Sequence, residues 1–211
     1  MDTRPVAPRH ITVPANRLRG WLAELADRHR GLTWTRRREE AVAAADDGAW
    51  VRVHIPFQPA GEDWVAHCEE ARRLGLLLVR RGGFGVGVTR AGVLTASKVG
   101  SRHVQGKTKA GGWSQQRFAR RRGNQARVAF MAAADACAGL LMAEVEALDG
   151  LVTGGDRSAV ARVLEDPRLA PLAALPAGRF LPVADPRQRV LVQAARDATR
   201  IEIEIWDPSA V

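Results

Sequence analysis

With 211 residues, 46% of them hydrophobic, the chain can fill the core of one large domain, or of one ordinary domain with a small companion, and intrinsic disorder is excluded as its main state. No apolar run approaches the roughly 20 residues that span a bilayer, MDTRPVAPRH is no signal-type start, and Cys68 and Cys137 form neither a disulfide framework nor a zinc cluster. A net charge of +9 thus belongs to a chain expected in a reducing, cytoplasmic compartment.

Taken in order, Asn16 is placed to cap a helix running to about Arg30, with Leu18, Leu22, Leu25 and Ala26 at three- and four-residue spacings. Asp46, Asp47 and Gly48 mark a turn before a half-buried strand from Trp50 to Phe57, where Val51, Val53 and Ile55 alternate with Arg52 and His54. Pro56, Pro59 and Gly61 end that pattern, and Glu62 to Leu74 reads as a second helix. Residues 1–73 are therefore expected to form a small α+β unit.

From Leu76 the character changes. Leu76 to Val79 is a short apolar run, and Gly85 to Thr89 and Ala91 to Ala96 read as successive strands about a tight turn at Arg90, Ala91 and Gly92. The GGFGVG run lacks the GxGxxG spacing and a following helix, so its glycines are assigned to a turn or a close backbone approach instead of a nucleotide loop. A polar, basic loop is expected over 98–113 and a long helix over 114–148. Phe130, Ala134, Cys137, Leu141, Val145 and Leu148 form the core stripe of that helix. A buried strand around Leu151 and Val152, a helix near Asp156 to Glu165, a strand at Phe180 to Val183, a helix from Pro186 to Thr199 and a strand over Ile201 to Trp206 complete the chain. The sum is an α/β domain over 74–211, a mixed sheet with flanking helices.

The positive charge is concentrated. Between Ala71 and Ala134 there are fourteen basic residues and no Asp or Glu, while the rest of the chain holds 18 basic and 23 acidic residues. A polyanion would neutralise such a segment and release its condensed counterions. Twenty-nine of the 32 basic residues are Arg, the better bidentate ligand for phosphate. The alternative is a solvated face in an arginine-rich composition. A membrane surface fits less well, because no exposed Trp/Phe/Leu face accompanies the charge.

Catalysis by ionisable groups would place a carboxylate, Cys or His near the loop, yet His103 is the one such group in the loop and basic helix start. His10, His29, His54 and His67 share no ligand spacing, and Cys137 lies on the apolar stripe. What remains is KTKAGGWSQQRFARRR, from Lys107 to Arg122. Two glycines permit a backbone path closed to other residues, a helix N-terminus offers free N–H groups, and Arg117, Arg120, Arg121 and Arg122, with Lys107, Lys109 and Arg127 around them, suit a phosphate backbone.

GGWSQQRFARRR, at Gly111 to Arg122, resembles the GGQSxxRFxRxR segment of eukaryotic and archaeal class-one peptide-chain release factors, and the surrounding order of strands, basic loop and long helix, then Gly-Leu-Val-Thr-Gly-Gly, is similar too. The resemblance covers about Leu74 to Asp207. Trp113 stands where those factors carry glutamine, whereas Gly112, Trp113, Ser114 and Gln115 satisfy the GxxQ pattern of the Vms-like release factors, the peptidyl-tRNA hydrolases of ribosome-associated quality control. The actinobacterial-type branch is the nearest match.

The resemblance implies a fold like the release-factor middle domain and a codon-independent peptidyl-tRNA hydrolase that frees nascent chains from stalled large ribosomal subunits. Gly111 and Gly112 would enter the peptidyl-transferase centre, and Gln115, or its neighbour Gln116, would orient water against the ester. Trp113 would stack on a base or fasten the loop. The implied partners are the large subunit and peptidyl-tRNA, with neither a membrane nor a metal or other cofactor, and with a monomer off the ribosome. Two rival readings stand beside it: cleavage of the tRNA near its 3′ end, and a non-catalytic ribosome- or RNA-binding module.

Overall fold

The computed structural model describes residues 7–80, 82–101 and 113–207, and, in the helix that begins at Trp113, side chains from 127 onward. In chain order the elements are β1 (Arg9–Pro14), α1 (Leu18–Arg28), β2 (Thr33–Arg36), β3 (Glu40–Ala44), β4 (Trp50–His54), α2 (Trp64–Glu69), β5 (Arg73–Arg80), β6 (Gly83–Arg90), β7 (Val93–Ser101), α3 (Trp113–Leu140), β8 (Gly150–Gly155), α4 (Arg157–Leu164), α5 (Ala170–Ala173), α6 (Gln188–Asp197) and β9 (Arg200–Trp206). They form two compact units, Met1–Ala71 with Thr199–Val211, and Arg72–Ala198.

The first unit is an antiparallel sheet in the order β1-β9-β4-β3-β2. Strand alternation decides its faces: Val51 and Val53 of β4, Ala41 and Ala43 of β3, and Ile201 and Ile203 of β9 are buried with Leu18 and Leu25 of α1 and Cys68 of α2. Asp63 caps α2, its Oδ1 accepting from the Ala66 N–H at 2.9 Å. Asn16 lies inside a 3-10 turn, Ala15–Arg17, so α1 starts at Leu18 without the side-chain cap expected of it. The strand expected to reach Phe57 stops at His54, and the helix expected over Glu62 to Leu74 occupies Trp64–Glu69.

The largest departure from the expected layout concerns β9. Its alternation predicts a half-buried strand, and that strand exists, but it does not stay with the residues that follow Leu74. It sits between β1 and β4, pairing Ile203 with Ile11 on one side and with Val53 on the other. Burial of Ile201 and Ile203 in the first core, and the ion pair of Glu204 with Arg52 across the ladder at 3.0 Å, fix that place. The segment 74–211 is thus divided between the two units.

The second unit is a sheet in the order β7-β6-β5-β8, antiparallel except for the parallel pair β5 and β8. Two residues, Ala91 at φ 49° and Gly92 at φ 79°, turn β6 into β7, the left-handed pair that a tight hairpin demands. On one face Leu77, Val79, Phe84, Val86 and Val88 pack with Ala133, Ala134, Cys137 and Leu141 of α3 and with Val160 and Val163 of α4. On the other face lies α6. There the GGFGVG glycines are explained: a Cβ at Gly87 would stand 2.8 Å from Leu94 Cδ1 and 3.3 Å from Leu191 Cδ2, and one at Gly85 would stand 3.3 Å from the Pro186 carbonyl. These glycines let a helix approach the sheet closely.

The helix expected to run to 148 stops at Leu140 and continues as a 3-10 helix over Met142–Ala147. The Leu141 N–H still bonds four residues back, to Cys137 at 2.8 Å, but Glu144 and Leu148 bond three back, to Leu141 and Val145. Tightening satisfies the terminal carbonyls and keeps Leu141 and Leu148 buried together. The stripe anticipated along this stretch therefore survives a change of helix type. No strand forms at Phe180 to Val183, where Leu181 makes a single parallel bridge to Gly154. Among the described residues no helix is long and apolar enough to cross a membrane.

Candidate functional site

Two elements of the second unit frame the basic segment. β7 leads into it and remains paired to its last residue, Ser101, which lies opposite Gly83. The expected loop over 98–113 is shorter as a result: Lys98, Val99, Gly100 and Ser101 belong to the strand, and Trp113 belongs to α3. Ladder bonds to β6 outweigh the loop-like composition, and Gly100 is required there because a Cβ would stand 2.4 Å from the Phe84 ring. Lys107, Lys109, Gly111 and Gly112, with His103, lie outside the described residues.

Beyond them α3 carries Trp113, Gln115, Gln116, Arg117, Arg120, Arg121 and Arg122 on its first three turns, so the helix gathers most of the expected site residues into one short stretch of backbone. Its 28 residues extend about 42 Å. Gln115 is the third helical residue, where a backbone N–H has no partner within the helix and the macrodipole is positive. No acidic residue occupies that first turn.

Arg127 is exposed and lines a groove of about 230 Å³ with Met131 of α3, Arg162 of α4 and Asp166 just beyond that helix. From Ala129 onward α3 turns into a core helix, with Ala129, Ala133, Ala134, Ala136 and Cys137 buried. Burial pushes the Cys137 thiol up to about 12, which keeps it protonated and supports its reading as a packing residue. The acid-free stretch ends at Asp135, whose carboxylate accepts from Arg168 Nη2 at 2.8 Å. Arg168 also holds Asp166 at 2.7 Å, and that hydrogen bond, with the Arg168 N–H, lowers the Asp166 carboxyl below its ordinary range.

Further cationic residues, not singled out by sequence, stand at the sheet end where β7 finishes. Arg80 pairs with Gly83, which in turn pairs with Ser101, and Arg80 Nε donates to the Ala184 carbonyl at 3.2 Å. Arg157 follows Asp156, the cap of α4, and its guanidinium lies 3.9 Å from the Phe180 ring centroid. A glycine pair followed by a cap, Gly154, Gly155 and Asp156, was the available signal. Among the described residues no group of three His, Cys, Asp or Glu could hold a metal ion.

Residues 72–204 match the sequence model of a family described as the Actinobacteria/chloroflexi VLRF1 release factor. The chain belongs to this release-factor family. Its role accordingly lies in translation release, and the matched span contains both the acid-free basic segment and α3. A search of curated proteins returns no match. Among solved structures, the chain is similar to an archaeal translation termination factor, aRF1, at 12% identity and a TM-score of 0.41, over 93% of this chain and 68% of that one.

Proposed function

We propose that this release-factor family member is a codon-independent peptidyl-tRNA hydrolase that acts on nascent chains held by stalled large ribosomal subunits. One observation carries the reading: the GGWSQQRF motif runs into the N-terminus of α3, inside a stretch with fourteen cations and no carboxylate, and the whole lies within the release-factor match. Ribosomal and transfer RNA supply the anion that this stretch requires, which puts the protein in the cytoplasm.

In this reading Gly111 and Gly112 bring the chain close to the ester, and Gln115 orients a water toward its carbonyl carbon. An amide neither takes nor gives a net proton near neutral pH, but it can position the water and donate to the developing oxyanion. Water adds to the carbonyl, the bond to the ribose 3′ oxygen breaks, and the proton from water ends on that oxygen through RNA hydroxyls. Lys107, Lys109, Arg117, Arg120, Arg121, Arg122 and Arg127 contact phosphates, and Trp113 stacks or anchors the segment.

Single-turnover release from purified large subunits carrying labelled peptidyl-tRNA tests the reading. Gln115→Ala is expected to lower release by about 10² to 10³ while binding persists; unchanged release from Gln115→Ala with loss from Gln116→Ala would transfer the role to Gln116. The tRNA end decides the chemistry: an intact CCA terminus supports ester hydrolysis, and a shortened one assigns cleavage to the tRNA. Saturating binding with neither product would reduce the protein to a binding module.

A further inference from the structure

Three strands of the second unit finish at one end of their sheet. The ladders pair Ser101 of β7 with Gly83, Gly83 with Arg80 of β5, and Val79 with Gly155 of β8, so the strand exits form a row about 14 Å long at the root of the basic segment. Two arginines there have no carboxylate partner among the described residues. Arg80 is half-buried and uses one N–H on the Ala184 carbonyl, at 3.2 Å. Arg157 is exposed, and its guanidinium lies 3.9 Å from the Phe180 ring centroid. Stacking fixes the plane of that group and leaves its N–H donors at the edge, the form in which arginine meets phosphate. The next residues in sequence after Arg80 and Ser101 are Arg81 and Arg102. Nearby carboxylates are already engaged: Asp156 Oδ1 accepts from the Ser158 and Ala159 N–H groups at 2.9 and 3.2 Å and so caps α4, and Asp185 holds Arg187 at 2.5 Å.

The far end of α4 is different. Arg162 pairs with Glu165 at 2.8 Å, and Arg168 pairs with Asp166 at 2.7 Å and Asp135 at 2.8 Å. One helix thus begins at an unneutralised cation and ends among neutralised ones. Its start also flanks the basic turns of α3. Both helices run from this sheet end toward Leu74, because α3 leads into β8, which begins opposite Leu74, and α4 leaves β8 beyond the pair of Gly155 with Val79. Arg127 shares a groove with Arg162, and five residues back along each helix stand Arg122 and Arg157. We propose that Arg157, with Arg80, is a second RNA contact, binding backbone phosphates of ribosomal RNA beside those that α3 meets. The inference rests on the release reading and extends its footprint across the sheet end to α4. A one-signed site suits a polyanion. In that reading Gly111 to Gln115 meet the tRNA ester, whereas the root of the segment, where β7 leaves the sheet, meets the RNA that walls the ester in. Arg162 and Arg168 mark the limit of the footprint, since a phosphate there would have to displace a carboxylate.

The probe is large ribosomal subunits without tRNA, titrated with the full chain over a range of salt. Arg157→Gln is expected to lower the slope of log affinity against log salt by about 0.7, and Arg157→Gln with Arg80→Gln by about 1.4. Arg157→Lys keeps the charge but loses the flat stacking, so the slope should persist while binding weakens about threefold. Arg162→Gln removes the same charge at the other end of α4 and should leave the slope unchanged. An unaltered slope in Arg157→Gln would overturn the proposal. An equal fall in Arg162→Gln would do the same, because net charge and not this site would then be read. So would a fall that requires subunits loaded with peptidyl-tRNA, which would move the contact to the tRNA. If Arg80→Gln lowers the melting temperature, Arg157→Gln decides alone. Release by the wild-type chain is read separately on loaded subunits: binding with the expected slopes and no freed peptide would sink the release reading and leave this contact standing.

Discussion

The two units handle charge in opposite ways. The first holds 11 basic and 14 acidic residues, the second 21 and 9, so nearly balanced chemistry in one contrasts with a strong excess of cations in the other. In the first the charges are partnered across the sheet: Arg52 reaches Glu40 at 3.1 Å and Glu204 at 3.0 Å, His54 reaches Glu204 at 3.0 Å, and Arg52 stacks 5.3 Å from the Trp50 ring. In the second, carboxylates such as Asp135, Asp156 and Asp166 lie beyond the basic segment, capping helices or pairing with Arg168. Self-neutralisation is a structural solution, whereas a one-signed stretch is one that an external polyanion would neutralise.

The contrast breaks most easily at the amide. Gln115→Ala, in the second unit, is expected to lower the release rate by about 10² to 10³, the scale of losing an oriented donor, whereas Glu204→Gln, in the first, should leave release unchanged. Single-turnover kinetics on both variants compare the units directly, and equal losses would remove the distinction. Next in size is the packing of the second unit. Gly154→Ala puts a Cβ 2.5 Å from the Leu181 carbonyl and is expected to cost about 1 to 3 kcal/mol in a urea melt. An undiminished midpoint would mean that the Leu181 bridge yields freely.

Replacing Arg120, Arg121 and Arg122 together by Ala sharpens the comparison through salt. The slope of log affinity for large subunits against log salt should fall by about 2, at roughly 0.7 for each single-strand phosphate that the arginines no longer neutralise, while Arg36→Ala, in the first unit, should leave the slope alone. The smallest effect is on acid stability. Burial works to raise the Glu204 carboxyl, but the His54 hydrogen bond and the charges of Arg52 and His54 outweigh it and hold the group below its ordinary value of 4.5. A lowered folded value means that this stabilisation is complete above about 4.5 and fades as the pH falls through the folded value. The melting temperatures of wild type and Glu204→Gln should therefore converge below pH 4.5, and a gap that persists in acid would show that charge is not its source.

Much of the fold is legible in local sequence. Alternation at Val51 and Val53, the apolar run at Leu76 to Val79, and the turn at Ala91 and Gly92 each become the expected element, because each is decided by near neighbours in sequence. β2 and β3 are not anticipated. Thr33 to Ala44 contains three consecutive arginines and two glutamates at its centre, and the strand signal there lies in Ala41 and Ala43, residues too small to mark a core by pattern alone. Within the site, the motif residues are readable from spacing and resemblance, whereas Arg157 over Phe180 depends on a contact between residues far apart in the chain.

By itself the amino-acid sequence determined the concentration of positive charge, the carboxylate-free motif around Gln115, the core stripe of α3 and the alternation of β9, since charge and hydrophobic period are properties of short windows. Tertiary structure alone decided that β9 completes the first sheet, that α6 presses on Gly85 and Gly87, and that β7 forms an edge beside a groove. Those outcomes rest on pairing between distant segments, where the partner is chosen by which apolar faces bury together, a choice that no local pattern records.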